Sequence, residues 1–167
     1  MAAGATYTPI ASTTIGTAVA SYTFSSISGI YTDLVLITYG KSTTADNGYA
    51  LRFNGTGGSG SNTNYSTTYL YGDGSTAASV RISNSWNISM ARIDNTMFAT
   101  GVTHIMNYSN STTYKTVLTR GGAGSILVAN VGLYRSTSAI TQIQIEPQAG
   151  GNFDVGSTFA LYGIAAA

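Results

Sequence analysis

Short apolar runs recur along this chain about every ten to fifteen residues, each closed by Gly, Asn, Asp or Ser, and none keeps a helical or heptad period. The reading is strands throughout. Ser21–Phe24 alternates polar and aromatic residues and runs into a Ser-Ser-Ile-Ser-Gly turn. Asp33–Tyr39 (DLVLITY) is apolar nearly throughout, which predicts a strand buried on both faces. Gly48–Phe53 follows Asp46-Asn47-Gly48, a turn signal in which Asn and Gly adopt positive φ at little cost. Asn54 to Asn64 is a Gly/Ser/Asn stretch without an apolar anchor, predicted to be an exposed loop, and Thr67–Tyr71 ends in Gly72-Asp73-Gly74.

The segment from Ala77 to Thr100 holds Arg81, Trp86, Met90 and Arg92 without a clean period of two, so one or two irregular strands and a helical turn are expected there. Thr103–Tyr108, the turn Asn110-Ser111-Thr112 and Tyr114–Arg120 read as a hairpin. Ser125–Tyr134 reads as a long strand. Ala139–Glu146 (AITQIQIE) carries Ile140, Ile143 and Ile145 as its apolar set, with Gln142 breaking parity as at a small bulge. Thr158–Ile164 closes the series as a strand able to pair with an early one. The two prolines, Pro9 and Pro147, fall beside strand edges, where a missing N–H does no harm. The expected architecture is all-β: a two-sheet antiparallel β-sandwich, jelly-roll-like, over residues 21–167, preceded by an arm and first short strand at 1–20.

Composition sharpens the picture. Of 167 residues, only 7 are Lys or Arg and 6 are Asp or Glu, and no cysteine is present. Disulfides and thiolate zinc sites are excluded. A net charge of +1 is far from the basic balance of a nucleic-acid binder. No apolar run approaches the ~18 residues of a membrane helix, and Met1–Pro9 lacks the basic and apolar regions of a secretion signal. A soluble product without an export address is expected. Near-zero net charge favours association, which suits a protein fixed in a larger particle.

Candidate chemistry is sparse. His104 is the single histidine, so no two-histidine metal site can form, and no Gly-x-Ser-x-Gly elbow on a strand-to-helix turn accompanies it. The six acids are scattered singly, which disfavours a facing carboxylate pair or a calcium loop. Gly55–Gly60 and Gly121–Gly124 lack the Gly-Lys-Ser/Thr ending of a phosphate loop. No catalytic, cofactor-binding or metal-ligating residue is assigned, and the chain is not expected to be an enzyme. The aromatics weigh more. Twelve tyrosines, with Tyr65, Tyr69 and Tyr71 alternating along one strand, suit an interface of rigid area with polar tips; they equally suit plain strand formation.

Four segments carry a family likeness: YTPIAS (Tyr7–Ser12), SYTFSSISGIYTDLVLI (Ser21–Ile37), IMNYSNSTTYKTVLTRG (Ile105–Gly121) and GLYRSTSAITQIQIEPQAGGNFDVGSTFALYGI (Gly132–Ile164). Over almost its whole length the chain resembles small tailed-phage virion proteins, especially those of phages of cyanobacteria and marine bacteria. The resemblance implies a virion component made in the host cytoplasm. A chain that starts at Met1 and has no shaft fits a free-standing capsid decoration (cement) protein, a homo-oligomer such as a trimer set over junctions of major capsid subunits. The alternative it implies is a tail or head fibre or spike domain that recognises host-surface glycan, with Tyr71, Trp86 and Tyr114 as stacking platforms. Interface candidates are Tyr7, Pro9, Tyr71, Trp86 and Tyr114. Neither a cofactor nor a nucleic-acid or membrane partner is implied.

Overall fold

A computed structural model describes residues 6–45, 48–56 and 63–165. Among them are twelve strands: β1 (Tyr7–Thr14), β2 (Tyr22–Phe24), β3 (Asp33–Gly40), β4 (Tyr49–Phe53), β5 (Tyr65–Gly72), β6 (Ala77–Ser85), β7 (Ile88–Ser89), β8 (Ala99–Ile105), β9 (Lys115–Ala123), β10 (Ile126–Tyr134), β11 (Ile143–Pro147) and β12 (Thr158–Ile164). They form two antiparallel sheets, a wide one ordered β1-β12-β3-β8-β9-β10-β5-β6 and a narrow one ordered β2-β11-β4-β7. The protein is an all-β sandwich.

Eight of the strands, ordered 1-12-3-8 against 2-11-4-7, make up a jelly roll of two four-stranded sheets. The other four arrive as two strand pairs. β5–β6 follows β4 and β9–β10 follows β8, and together they carry the wide sheet on as 8-9-10-5-6. The narrow sheet gains nothing, so the extension overhangs it.

The core lies between the sheets, built from alternate residues such as Leu34, Leu36, Leu51, Phe53, Ile143, Ile145, Phe159 and Leu161. Four tyrosines, Tyr49, Tyr65, Tyr108 and Tyr134, are buried in it. The Tyr65 and Tyr134 rings stack with centroids 5.0 Å apart. The Tyr65 hydroxyl accepts from Phe53 N–H at 2.8 Å and shares a hydrogen bond with Thr56 at 2.7 Å, and burial pushes its pKa up to about 12. The one fully buried cation among the described residues, Lys115, donates to the carbonyls of Thr113, Ser136 and Thr137 at 2.8, 3.3 and 2.9 Å, which meets its full donor count.

Two contacts fix the overhang against the narrow sheet. Ile88 of β7 sits on Gly132 of β10 so closely that a Cβ there would come within 2.5 Å of its side chain. Beside it, Thr67 donates to Asn130 Oδ1 at 2.8 Å and Asn130 Nδ2 donates to the Ser89 carbonyl. An apolar knob and a polar tether thus pin β7 to the extension.

Several sequence expectations change. Burial on both faces of β3 holds only for Leu34–Leu36, because Ile37 and Tyr39 are 42% and 45% exposed. The segment read as irregular does hold two strands, β6 with a register shift where it passes Tyr65 and Thr67 of β5, and the two-residue β7, but the helical turn is not found: no helix occurs among the described residues. The strand expected from Ala139 begins at Ile143. Upstream of it, Asn54 replaces the ladder, donating to the Ala139 carbonyl at 2.8 Å and accepting from Thr141 N–H at 2.9 Å and Gln142 N–H at 3.2 Å. The Asp46-Asn47 turn and the middle of the Gly-rich loop lie outside the described residues.

Turn carboxylates add a pH dependence. Asp73 is held below the usual carboxylate range by the backbone N–H groups of Thr76 and Ser75, Asp94 by Thr96, and Asp154 by Lys41. Glu146 runs the other way, raised by burial despite its ion pair with Arg52. The unfolded chain binds more protons at the aspartates, so native stability falls as pH drops from about 4 through their depressed values. Denaturant melts taken between about pH 5 and pH 3 should show the midpoint decreasing with pH. In the same assay at neutral pH, Leu36→Asp should abolish the cooperative transition, since it places an unpaired charge at a site with no solvent exposure. Gly132→Val should cost about 1–3 kcal/mol through overpacking against Ile88.

Candidate docking face

An antiparallel sheet covered on one side ordinarily turns polar residues to water on the other. The wide sheet does not follow that rule. Strand register aligns Ile37, Val102, Arg120, Ala129 and Leu70 in one row across its outer face. A neighbouring row brings Leu118 beside His104 and Val131, and a third sets Leu127 opposite Gly122. Leu127, Leu70 and Val131 are 65%, 59% and 52% exposed. Eight strands at ~4.8 Å spacing and about six residues at ~3.3 Å make a face on the order of 38 Å by 20 Å. That is close to the ~800 Å² each partner brings to a standard protein interface.

The face is almost free of charge. Arg120 stands in its central row and Arg81 at its far edge, where it donates to Thr68 at 2.9 Å. The ion pairs among the described residues are Lys41–Asp154, Arg52–Glu146 and Arg92–Asp94, so Arg120 belongs to none. An exposed guanidinium amid apolar neighbours favours a partner that is itself apolar and supplies one carboxylate.

The five residues singled out from sequence do not form one site. Pro9 lies opposite Tyr162 on β12, and the Tyr7 ring meets that of Tyr162 edge-on at 6.5 Å, which places both on the β1 margin of this face. Tyr71 is on the inner side of the overhang, across from Ala78. Trp86 covers Arg52 on the outer side of the narrow sheet, its ring 5.5 Å from the guanidinium, an arrangement that itself accounts for the residue. Tyr114, 53% exposed, sits just before β9, near the Tyr65 end of the extension. Tyr71 is six residues along β5 from Tyr65, on the order of 20 Å away, so Tyr71, Trp86 and Tyr114 cannot stack on one ligand.

Sequence reasoning missed Leu70, Leu118, Leu127 and Val131. The available signal was the nearly unbroken apolar run of β10, ILVANVGLY, in a strand that follows β9 as a hairpin. Such a run reads as burial on both faces, whereas its outward half is open.

No family model matches the chain, and no curated protein matches it. Among solved structures, the infectious bursal disease virus VP2 subviral particle aligns at 13% identity over 92% of this chain and 41% of that one, with a TM-score of 0.12. The chain thus spans less than half of that protein, and a likeness at that score carries no argument.

Because the outward residues are solvated, replacing them should leave the fold intact. Leu118→Asp and Val131→Asp should each change unfolding free energy by less than about 0.5 kcal/mol. The same variants should lower the binding of a hydrophobic dye to the native protein, measured by fluorescence.

Proposed function

We propose that this protein is a virion structural component of the capsid decoration (cement) type, which docks the outer face of its wide sheet on a neighbouring shell protein. The carrying observation is that face, where apolar residues recur on five adjacent strands, β3, β8, β9, β10 and β5, with Arg120 as the charged residue of their central row. Monomeric proteins rarely leave so much contiguous apolar surface open. The jelly-roll strand order and the sequence likeness to tailed-phage virion proteins support the reading; a fold alone does not imply a function.

The mechanism is linkage. A protein that binds the assembled shell and not its free subunits stabilises the shell by mass action. Each copy contributes a dry contact of standard size, and many copies multiply the effect. Arg120 sets specificity more than strength, because burying it against an apolar partner without a carboxylate is costly. Tyr7 and Pro9, at the β1 margin, extend the same surface toward a neighbouring copy in a trimer or other homo-oligomer around a capsid junction.

The test is reconstitution on shells that lack the protein. Saturable binding of many copies over the shell, with a higher shell melting temperature, is the expected result. Leu118→Asp and Arg120→Glu should each weaken binding at least about tenfold, or about 1.4 kcal/mol. A handful of copies confined to the tail would favour the fibre or spike alternative, and absence of shell binding would end the cement reading.

A further inference from the structure

Where the wide sheet overhangs the narrow one, a cleft of about 590 Å³ opens between them, within the usual size of small-ligand sites. One wall is the inner face of the extension. Val80, Ile82 and Val128 form an apolar floor, and Tyr69 and Tyr71 stand over it with ring centroids 6.2 Å apart and planes tilted by 38°. The opposite wall comes from the narrow-sheet side, with Ser89, Arg92 and Gln148, and Asp73 is at the margin. The cleft is built, not incidental, because Ile88 on Gly132 and Asn130 on the Ser89 carbonyl fix the spacing of its walls.

Its polar groups are positioned yet incompletely used. Ser89 Oγ donates to Gln148 Oε1 at 3.1 Å, which orients that amide. Asp73 takes three hydrogen bonds from Ser75 and Thr76, all on Oδ1, which leaves Oδ2 as an acceptor. Arg92 has one loose ion pair, with Asp94 at 3.8 Å, and lines the cleft with its side chain part-exposed, so of the five N–H donors of an Arg the exposed terminal ones are available to a ligand.

We propose that this cleft binds a neutral saccharide unit of a glycan. Tyrosine faces and an apolar floor match the C–H face of a pyranose ring, while donors and acceptors around the rim match hydroxyls, which serve as both. Asp73 and Arg92 carry opposite charges, so a charged ligand gains at one and loses at the other; an uncharged sugar meets no such conflict. Tyr71 keeps the stacking role that its position along the chain suggested, with Tyr69 as its partner in place of Trp86 and Tyr114.

Saturation-transfer NMR and titration against methyl glucoside, methyl galactoside, methyl mannoside, N-acetylglucosamine and their short oligomers test this, with glucuronic and N-acetylneuraminic acids as the charged arm. At least one neutral sugar should saturate the protein and shift the ring protons of Tyr69 and Tyr71 and the Nε resonance of Arg92. Tyr71→Ala and Arg92→Lys should each weaken that binding about tenfold or more, while Tyr71→Phe, which keeps the ring, should retain it. Melting temperature reports folding for each, and Arg92→Lys carries the test alone if Tyr71→Ala unfolds. Absence of neutral-sugar binding at millimolar concentration, binding indifferent to these variants, or binding limited to the acidic sugars would overturn the proposal. Shell docking by the outer face is read separately, so either conclusion can fail without the other.

Discussion

A sheet of eight strands spaced ~4.8 Å apart is about twice as wide as the four-stranded sheet packed on it, so its inner face cannot be covered in one way along its whole width. Over the jelly-roll half, strands of the narrow sheet bring Leu51, Phe53, Ile143 and Ile145 against Leu34, Leu36, Phe159 and Leu161, and the core is closed. Over the extension, cover stops at the two-residue strand β7. Beyond it the inner side chains of β5, β6 and β10 face a cleft. The mismatch in width is the source of the cleft.

How β7 is held then matters out of proportion to its length. A strand of two residues has almost no ladder of its own, and it pairs with β4 at only two positions. Its location rests on Ile88 filling the space above a residue that has no Cβ, and on Asn130 bridging Thr67 to the Ser89 carbonyl. Two polar side chains elsewhere make their hydrogen bonds to the backbone in the same way. Lys115 spends all three donors on carbonyls, and Asn54 satisfies backbone that left the ladder before β11. Buried polar residues cost stability unless paired, and here they place loops that the sheets do not reach.

Strand alternation divides one set of strands between two tasks. In β10, Ile126 and Val128 line the cleft, while Leu127 and Val131 lie on the outer face. In β5, Tyr69 and Tyr71 point to the cleft and Leu70 points away. A docking face and a ligand cleft on opposite sides of the same strands do not compete for space. On the proposed reading, a copy seated on a shell by its outer face keeps the cleft walls free of that contact.

What the chain determined locally was its strands: runs of alternating or continuous apolar residues cut by Gly, Asn and Asp marked nearly every one, the hairpin at Thr103–Arg120 included, and the shortage of helix formers and charge marked an all-β sandwich. A period of two is a property of neighbouring residues, so it survives in the sequence. Pairing is not, and the tertiary structure alone decided that β5 lies beside β10, which set Leu70, Leu118 and Val131 on one open face and Tyr69 and Tyr71 in a cleft. The same holds for the tyrosines: nothing local separates buried Tyr65 from half-open Tyr71 six residues along β5, because what differs is whether the narrow sheet, brought in from distant segments, reaches far enough to cover them.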